Sequence, residues 1–141
     1  MMRILVDINV VLDVLLDRHP HVVSAAALWT CVERKQAEGF LSAHAFTTIF
    51  YLAHKAKSRP VAIRMVESIL KVFRVGAVDE AVITGALALA CPDFEDAVSA
   101  ACAEATRCAA LVTRDPRGFK GAAIPVISPA EALAWMTTVA G

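Results

Sequence analysis

Arg3-Ile4-Leu5-Val6-Asp7-Ile8-Asn9 is the stretch on which the fold turns. It is a short apolar run, too brief for a helix and closed by a carboxylate. Such a run reads as a buried strand that ends at Asp7. The same signature returns in Ala110-Leu111-Val112-Thr113-Arg114-Asp115, an apolar run again followed by an acid. Between them, Pro92-Asp93-Phe94-Glu95-Asp96-Ala97-Val98 reads as the start of a helix. Acids that end strands of an α/β sheet stand where such sheets bind ligands, outside the carboxyl ends.

Working outward, Asn9 is placed to cap a helix over 10–17, and His19-Pro20-His21 reads as a loop. Helix-period apolar residues then run from Val22 through Ala25, Leu28, Trp29 and Val32 to a stop at Gly39. Phe40-Leu41-Ser42 is a second strand. Two helices follow, over 43–57 and 61–71, the second with Ile63, Val66, Ile69 and Leu70 inward. A third strand is expected over 72–78, and a helix capped by Asp79 over 80–90. The helix opened by Asp93 runs to about Arg107. Strands over 109–113 and 125–127 follow, and Ser128-Pro129-Ala130-Glu131 forms a capping box before a C-terminal helix. The alternation predicts an α/β fold: a central parallel sheet of four to five strands covered by helices, in a single domain over 1–141.

Apolar residues make up 57 % of the chain with Tyr counted and Gly left out. That is roughly 60 % on the set that ordinarily gives about 45–50 %. The excess favours a buried parallel sheet and an apolar subunit interface, hence a homodimer. The formal net charge is zero, which excludes a strongly basic nucleic-acid binder. Local cations remain at Arg34-Lys35, at Lys55-Ala56-Lys57-Ser58-Arg59, and at Arg114 with Arg117 and Lys120. Cys31, Cys91, Cys102 and Cys108 form no CxxC pair and no zinc spacing, so they read as reduced thiols of a cytoplasmic protein. No run is long and apolar enough to span a membrane. Asp7, Asp13 and Asp17 interrupt what would otherwise be a signal-peptide core.

Asp7, Asp93, Asp96 and Asp115 are the candidates for chemistry. Gathered carboxylates raise each other's pKa unless a cation compensates them. A hard divalent ion such as Mg²⁺ or Mn²⁺ suits oxygen donors of this kind, and the set is the skeleton of a metal-dependent phosphodiesterase site. Each acid also has a purely structural reading. Asp7 and Asn9 would serve a turn and a cap, Asp93 and Asp96 would complement a helix dipole, and Asp115-Pro116 would make a turn. Glu95 is expected to point away into solvent. His44 and His54 share no clean helix face, which argues against zinc.

Taken in order, Leu5-Val6-Asp7-Ile8-Asn9-Val10-Val11-Leu12-Asp13, Asp93-Phe94-Glu95-Asp96-Ala97-Val98 and Val112-Thr113-Arg114-Asp115 with Gly118-Phe119 resemble the PIN domain. Ile124-Pro125-Val126-Ile127-Ser128-Pro129 also fits, so the resemblance covers essentially the full length. Within that family the chain is similar to VapC-like toxins of bacterial toxin–antitoxin pairs. The resemblance implies a Mg²⁺- or Mn²⁺-dependent ribonuclease that hydrolyses RNA phosphodiester bonds and is inhibited by a small antitoxin. By matching position, Asp7, Asp96 and Asp115 would be the acidic metal-site residues, Asp93 an added carboxylate, and Asn9 and Thr113 supporting polar groups.

One position departs from the family pattern. A glutamate is expected in a Ser-x5-Glu spacing after the second strand. Counted from Ser42, that position is Thr48, and no carboxylate occurs between Glu38 and Glu67. Either Asp93 compensates or activity is reduced. The alternative reading is therefore a PIN-fold module that binds RNA or a partner protein without cutting. A receiver-like phosphoacceptor, with Asp79 as acceptor, fits poorly, because Asp7 has no acidic neighbour and no lysine follows the fifth strand.

Overall fold

A computed structural model describes residues 1–140, with side chains described as far as Thr137. Gly141, the end of the expected domain, lies outside the described residues. The chain runs β1 (Arg3–Val6), α1 (Ile8–Leu15), α2 (Val22–Glu33), β2 (Glu38–Ser42), α3 (Ala43–Ala56) and α4 (Arg59–Val72). It continues through β3 (Arg74–Gly76), α5 (Glu80–Ala88), α6 (Phe94–Ala105), β4 (Ala110–Val112), a 3-10 turn (Pro116–Phe119), β5 (Val126–Ile127) and α7 (Pro129–Ala140). The sheet has five strands in the order β3-β2-β1-β4-β5, all parallel.

Strand alternation sorts the core into two layers. Leu5 lies between Phe40 and Leu111 in register, and all three face α5 and α6. Ile4, Val6, Leu41, Ala110 and Val112 point to the other face, against α1, α2, α3 and α7. Ile4, Leu5 and Leu111 are fully enclosed, and each such side chain contributes about 1.5–3 kcal/mol of transfer free energy. The helices start where side-chain acceptors meet orphan N–H groups. Ser58 caps α4, Asp79 caps α5 and Asp93 caps α6. Ser128 and Glu131 exchange bonds of 3.1 and 3.0 Å at the head of α7, the expected capping box.

The structure corrects four local expectations. Asp7, not Asn9, caps α1: its Oδ1 accepts from Ile8 N at 2.8 Å, and the helix begins one residue after the strand. That helix ends at Leu15, and Asp17 takes a left-handed φ of 51°. The third strand spans only Arg74–Gly76, because Val72 still belongs to α4 and the Phe73 ring turns in against Trp29. On α4, Ile63 and Leu70 are exposed by 41 % and 53 %, and Ala62 and Ile69 are buried instead. That helix flanks the short edge strand and packs mainly on α3, so only a narrow stripe of it is covered. Among the described residues, no helix is long and apolar enough to cross a membrane. All four thiols are unpaired. Cys102 is pushed up to about 11 by burial, as befits a core residue.

Candidate active site

The strand order reverses at β1: the chain moves outward through β2 and β3, then returns to place β4 on the other side. That reversal opens a crevice at the carboxyl ends of β1 and β4. Alternation continues past both strands, so Asp7, Thr113 and Ser42 fall on the α6 side, like Leu5, Leu111 and Phe40 before them. Asp7 is 6 % exposed and Thr113 is buried. Thr113 Oγ1 donates to Asp7 Oδ2 at 2.9 Å and accepts from Asp115 N at 3.1 Å. One hydroxyl thus fixes the spacing of the two strand-end acids. Burial raises the Asp7 pKa above the ordinary carboxylate value, and the Thr113 and Ile8 hydrogen bonds oppose that rise.

From the other side, α6 brings its first turn over the crevice. Asp93 Oδ1 accepts from Asp96 N at 2.9 Å, so Asp93 is a helix cap. Asp96 is half-buried and its carboxyl is pushed up to about 7. Burial is the largest cause, followed by the charges of Asp7, Asp93, Glu95 and Asp115. The three sequence segments therefore do converge, and Asp96 is the point on which the others act. Asn9 sits in the first turn of α1 and makes no side-chain hydrogen bond among the described residues.

Gly118 in the 3-10 turn is what lets Asp96 sit where it does. A Cβ built there would overlap Asp96 Oδ2 and stand 3.1 Å from its Cγ and 3.7 Å from Asp93 Cβ. Gly118→Ala is expected to turn the Asp96 carboxylate aside while leaving the fold intact, because the clashing atom is the end of a mobile side chain. The readout is the rise in melting temperature on adding Mn²⁺, which should shrink by at least half. An undiminished rise would show that Asp96 does not need this space.

Two arginines on the β4 loop have separate tasks. Arg117 grips Asp115 with Nε at 2.9 Å and Nη2 at 3.0 Å. That bond holds the Asp115 carboxyl below its usual range. Arg114 turns the opposite way and binds Asp13 with Nε at 2.7 Å and Nη2 at 3.3 Å. Asp13 is 1 % exposed, and Arg18 Nη1 also approaches it at 3.8 Å. Neither pairing was expected from sequence. The signal for Asp13 was there: an acid inside Val10-Val11-Leu12-Asp13-Val14-Leu15 needs a partner if that helix is buried.

The α3 side of the crevice carries no acid. Thr48 stands there, and its Oγ1 donates to Glu95 Oε1 at 3.4 Å. Glu95 was expected to point away into solvent. It is exposed, but it leans across to α3, because the first turn of α6 faces Thr48 and His44. Two buried polar atoms below lack partners, Ser42 Oγ and His44 Nδ1.

These residues fit a hard divalent ion. The donors are carboxylates, a buried hydroxyl without a partner lies at the end of β2, and Gly118 leaves space against Asp96. Among the described residues, no three His, Cys, Asp or Glu side chains stand close enough together to hold a bare ion unaided. Mg²⁺ does not require that, since it keeps several waters and binds through one or two carboxylates and substrate phosphate.

A family model described as PIN domain matches residues 3–117. The fold is similar to VapBC2 from Rickettsia felis bound to a DNA fragment from its promoter. That match has TM-score 0.71 and 15 % identity, and covers 90 % of this chain and 98 % of that one. It is similar also to FitAcB from Neisseria gonorrhoeae, with TM-score 0.70, 23 % identity, and the same 90 % and 98 % coverage. VapC20 of Mycobacterium tuberculosis, a sarcin-ricin loop cleaving toxin, superposes with TM-score 0.63 and 19 % identity over 77 % of this chain and 86 % of that one. At these identities the likeness is one of fold. No curated protein matches the sequence.

Proposed function

The chain belongs to the PIN-domain family, and from that premise we propose that it is a Mg²⁺- or Mn²⁺-dependent ribonuclease, the toxin of a toxin–antitoxin pair. The observation that carries the reading is the meeting of Asp7, Asp96 and Asp115 at the strand-order reversal, with Asp96 pushed up to about 7 by burial first and by its acidic neighbours second. A fold accepts such mutual repulsion at a functional site more readily than elsewhere.

Asp7 and Asp96 would hold the ion directly, with Asp115 and Asp93 beside them meeting it through its waters. Once bound, it would supply Lewis-acid polarisation of a phosphodiester and a water of lowered pKa. The chain's own groups do the rest. Thr113 keeps Asp7 and Asp115 at a fixed spacing. Asp93 Oδ1 is engaged by the Asp96 N–H, so Oδ2 is the oxygen that would be free to accept a proton there. Arg117 and Lys120, both exposed on the turn beside the crevice, are the cations that meet phosphate. Lys55, Lys57 and Arg59 lie at the end of α3 and the start of α4, where they would follow a longer strand.

The structural neighbours that are toxin–antitoxin complexes support a small antitoxin as partner. The apolar excess of the chain supports self-association as a homodimer. A light-scattering mass equal to one chain would contradict it. Function in the cytoplasm is consistent with the free thiols. Thr48 favours a second reading, a catalytically weakened module that binds RNA or a protein without cutting. Cleavage of a fluorogenic single-stranded RNA in Mn²⁺, Mg²⁺ and EDTA separates the two. The ribonuclease reading predicts cutting with either metal and none in EDTA. RNA retained but uncut in both metals would favour the second reading.

A further inference from the structure

We propose that Glu95 is a working carboxylate of the metal site, one that holds the ion's waters from the α3 side, with Thr48 and His44 as its positioning residues. The proposal rests on the metal-dependent reading above and deepens it.

The argument starts from what α3 lacks. Its sequence over 43–56, Ala-His-Ala-Phe-Thr-Thr-Ile-Phe-Tyr-Leu-Ala-His-Lys-Ala, contains no acid. Its polar groups at the crevice nonetheless converge on one residue of α6. Thr48 Oγ1 donates to the Glu95 carboxylate at 3.4 Å. His44 Nε2 lies 3.2 Å from the Glu95 carbonyl, an acceptor, so that nitrogen carries the proton. One contact fixes where the residue stands and the other fixes which way its side chain leans.

An exposed glutamate in the first turn of a helix gains a few tenths of a kcal/mol from the helix dipole and needs no partner, on the order of 0.3–1 kcal/mol in all. Glu95 does not simply extend into water. Its carboxylate turns to Thr48 beside the crevice of Asp7 and Asp96, and its charge bears on both. Adding a negative charge to that group is unfavourable without a cation to compensate it. A second observation points the same way. Ser42 Oγ is buried, has no hydrogen-bond partner, and lies by alternation on the α6 side of the sheet at the level of Asp7. Leaving such a hydroxyl unsatisfied costs about 1–3 kcal/mol, and water on a bound ion is a partner of the right chemistry.

Thr48 stands at the position where the family resemblance leads one to expect a glutamate. The carboxylate that α3 lacks is thus delivered from the facing helix, and the threonine keeps a role as its donor. Asp93, the compensating acid suggested by sequence, lies on the same helix, with one of its oxygens engaged as the cap of α6.

The test is calorimetric titration of Mn²⁺ into the full chain at neutral pH, comparing the parent with Glu95→Gln, Glu95→Asp, Thr48→Val, Asp96→Asn and the exchange variant Thr48→Glu/Glu95→Gln. Loss of a carboxylate that supports metal binding indirectly typically costs 10–100-fold in affinity. Glu95→Gln should weaken Mn²⁺ binding by about that factor, and Glu95→Asp by less. Thr48→Val should weaken it in the same direction and have no added effect once Glu95 is Gln. The exchange variant should recover most of the lost affinity. Binding by Glu95→Gln that matches the parent, while Asp96→Asn fails to bind, would overturn the role of Glu95 and leave the metal site standing. A parent that takes up no Mn²⁺ would overturn both. Failure of the exchange variant to recover affinity would overturn the placement of this carboxylate opposite Thr48. Glu95 is exposed, so none of these outcomes should be confused with unfolding, and circular dichroism of each variant checks that.

Discussion

Asp96→Asn is expected to abolish metal-dependent RNA cleavage, with a loss on the order of 10²-fold or more, while making the metal-free protein more stable at alkaline pH. Both effects follow from one position. Asp96 is the acid on which Asp7, Asp93, Glu95 and Asp115 all act, and together with burial they push its carboxyl up to about 7 from 3.8. The folded pKa therefore lies above the unfolded one. Between those values the folded chain keeps a proton that the unfolded chain has released. The stability this confers is fully present below about pH 4 and is lost as pH rises through 7. Burial displaces Asp7 in the same direction. Asparagine has no charge to desolvate or repel. The variant should therefore lose much of the fall in stability between pH 5 and 8 that the parent shows. Urea midpoints across that range provide the check. A variant less stable than the parent at pH 8 would contradict the account.

The same sign governs metal binding. An ion must displace the proton of Asp96, so Mn²⁺ should raise the melting temperature more at pH 8 than at pH 6. A rise independent of pH would mean that Asp96 is not among the groups the ion meets.

Arg114→Ala is expected to destabilise the fold by about 3 kcal/mol. Arg114 satisfies both oxygens of Asp13, an acid with 1 % exposure set among Val10, Val11 and Leu12. Removing one member of such a pair strands the other charge, at a cost of about 3–5 kcal/mol. Arg18 stays within 3.8 Å of Asp13 and keeps the effect toward the lower end. The pair also ties the loop after β4 to α1, and Asp115 is the next residue along that loop. Arg114→Ala should therefore lose cleavage as well as stability. In Asp13→Asn/Arg114→Met the buried charge is gone, and the double variant should recover part of the stability, since replacing both partners is tolerated better than removing one. A urea midpoint for Arg114→Ala equal to the parent's would show that Arg18 suffices.

Much of the framework was legible because burial leaves a pattern in sequence. β1, β2 and β4 are strands buried over nearly their whole length, so they read as apolar runs, and the acids that end β1 and β4 stand out against them. Periodicity also gave the helices and the capping box at Ser128. The errors share a physical origin. Which of Asp7 and Asn9 caps α1 depends on whether the strand ends one residue sooner or later, and composition does not distinguish them. The outward turn of Ile63 and Leu70 reflects a helix packed on the sheet edge, where only a thin stripe is covered. The site was legible as a set of acids but not as an arrangement. The Thr113 bridge between Asp7 and Asp115 spans more than a hundred residues of sequence. The space beside Gly118, the grip of Arg117 on Asp115 and the lean of Glu95 onto Thr48 are set by side-chain direction across facing elements. No periodicity records that.

The most direct test of the central claim is an anomalous difference map from crystals of the protein soaked in Mn²⁺. The account predicts a peak in the crevice between β1, β4 and α6, within ligand distance of Asp7 and Asp96, with the Asp115 carboxylate turned toward it. A map at saturating Mn²⁺ with no peak there, and with Asp115 still held by Arg117, would contradict the assignment of these acids as a metal site.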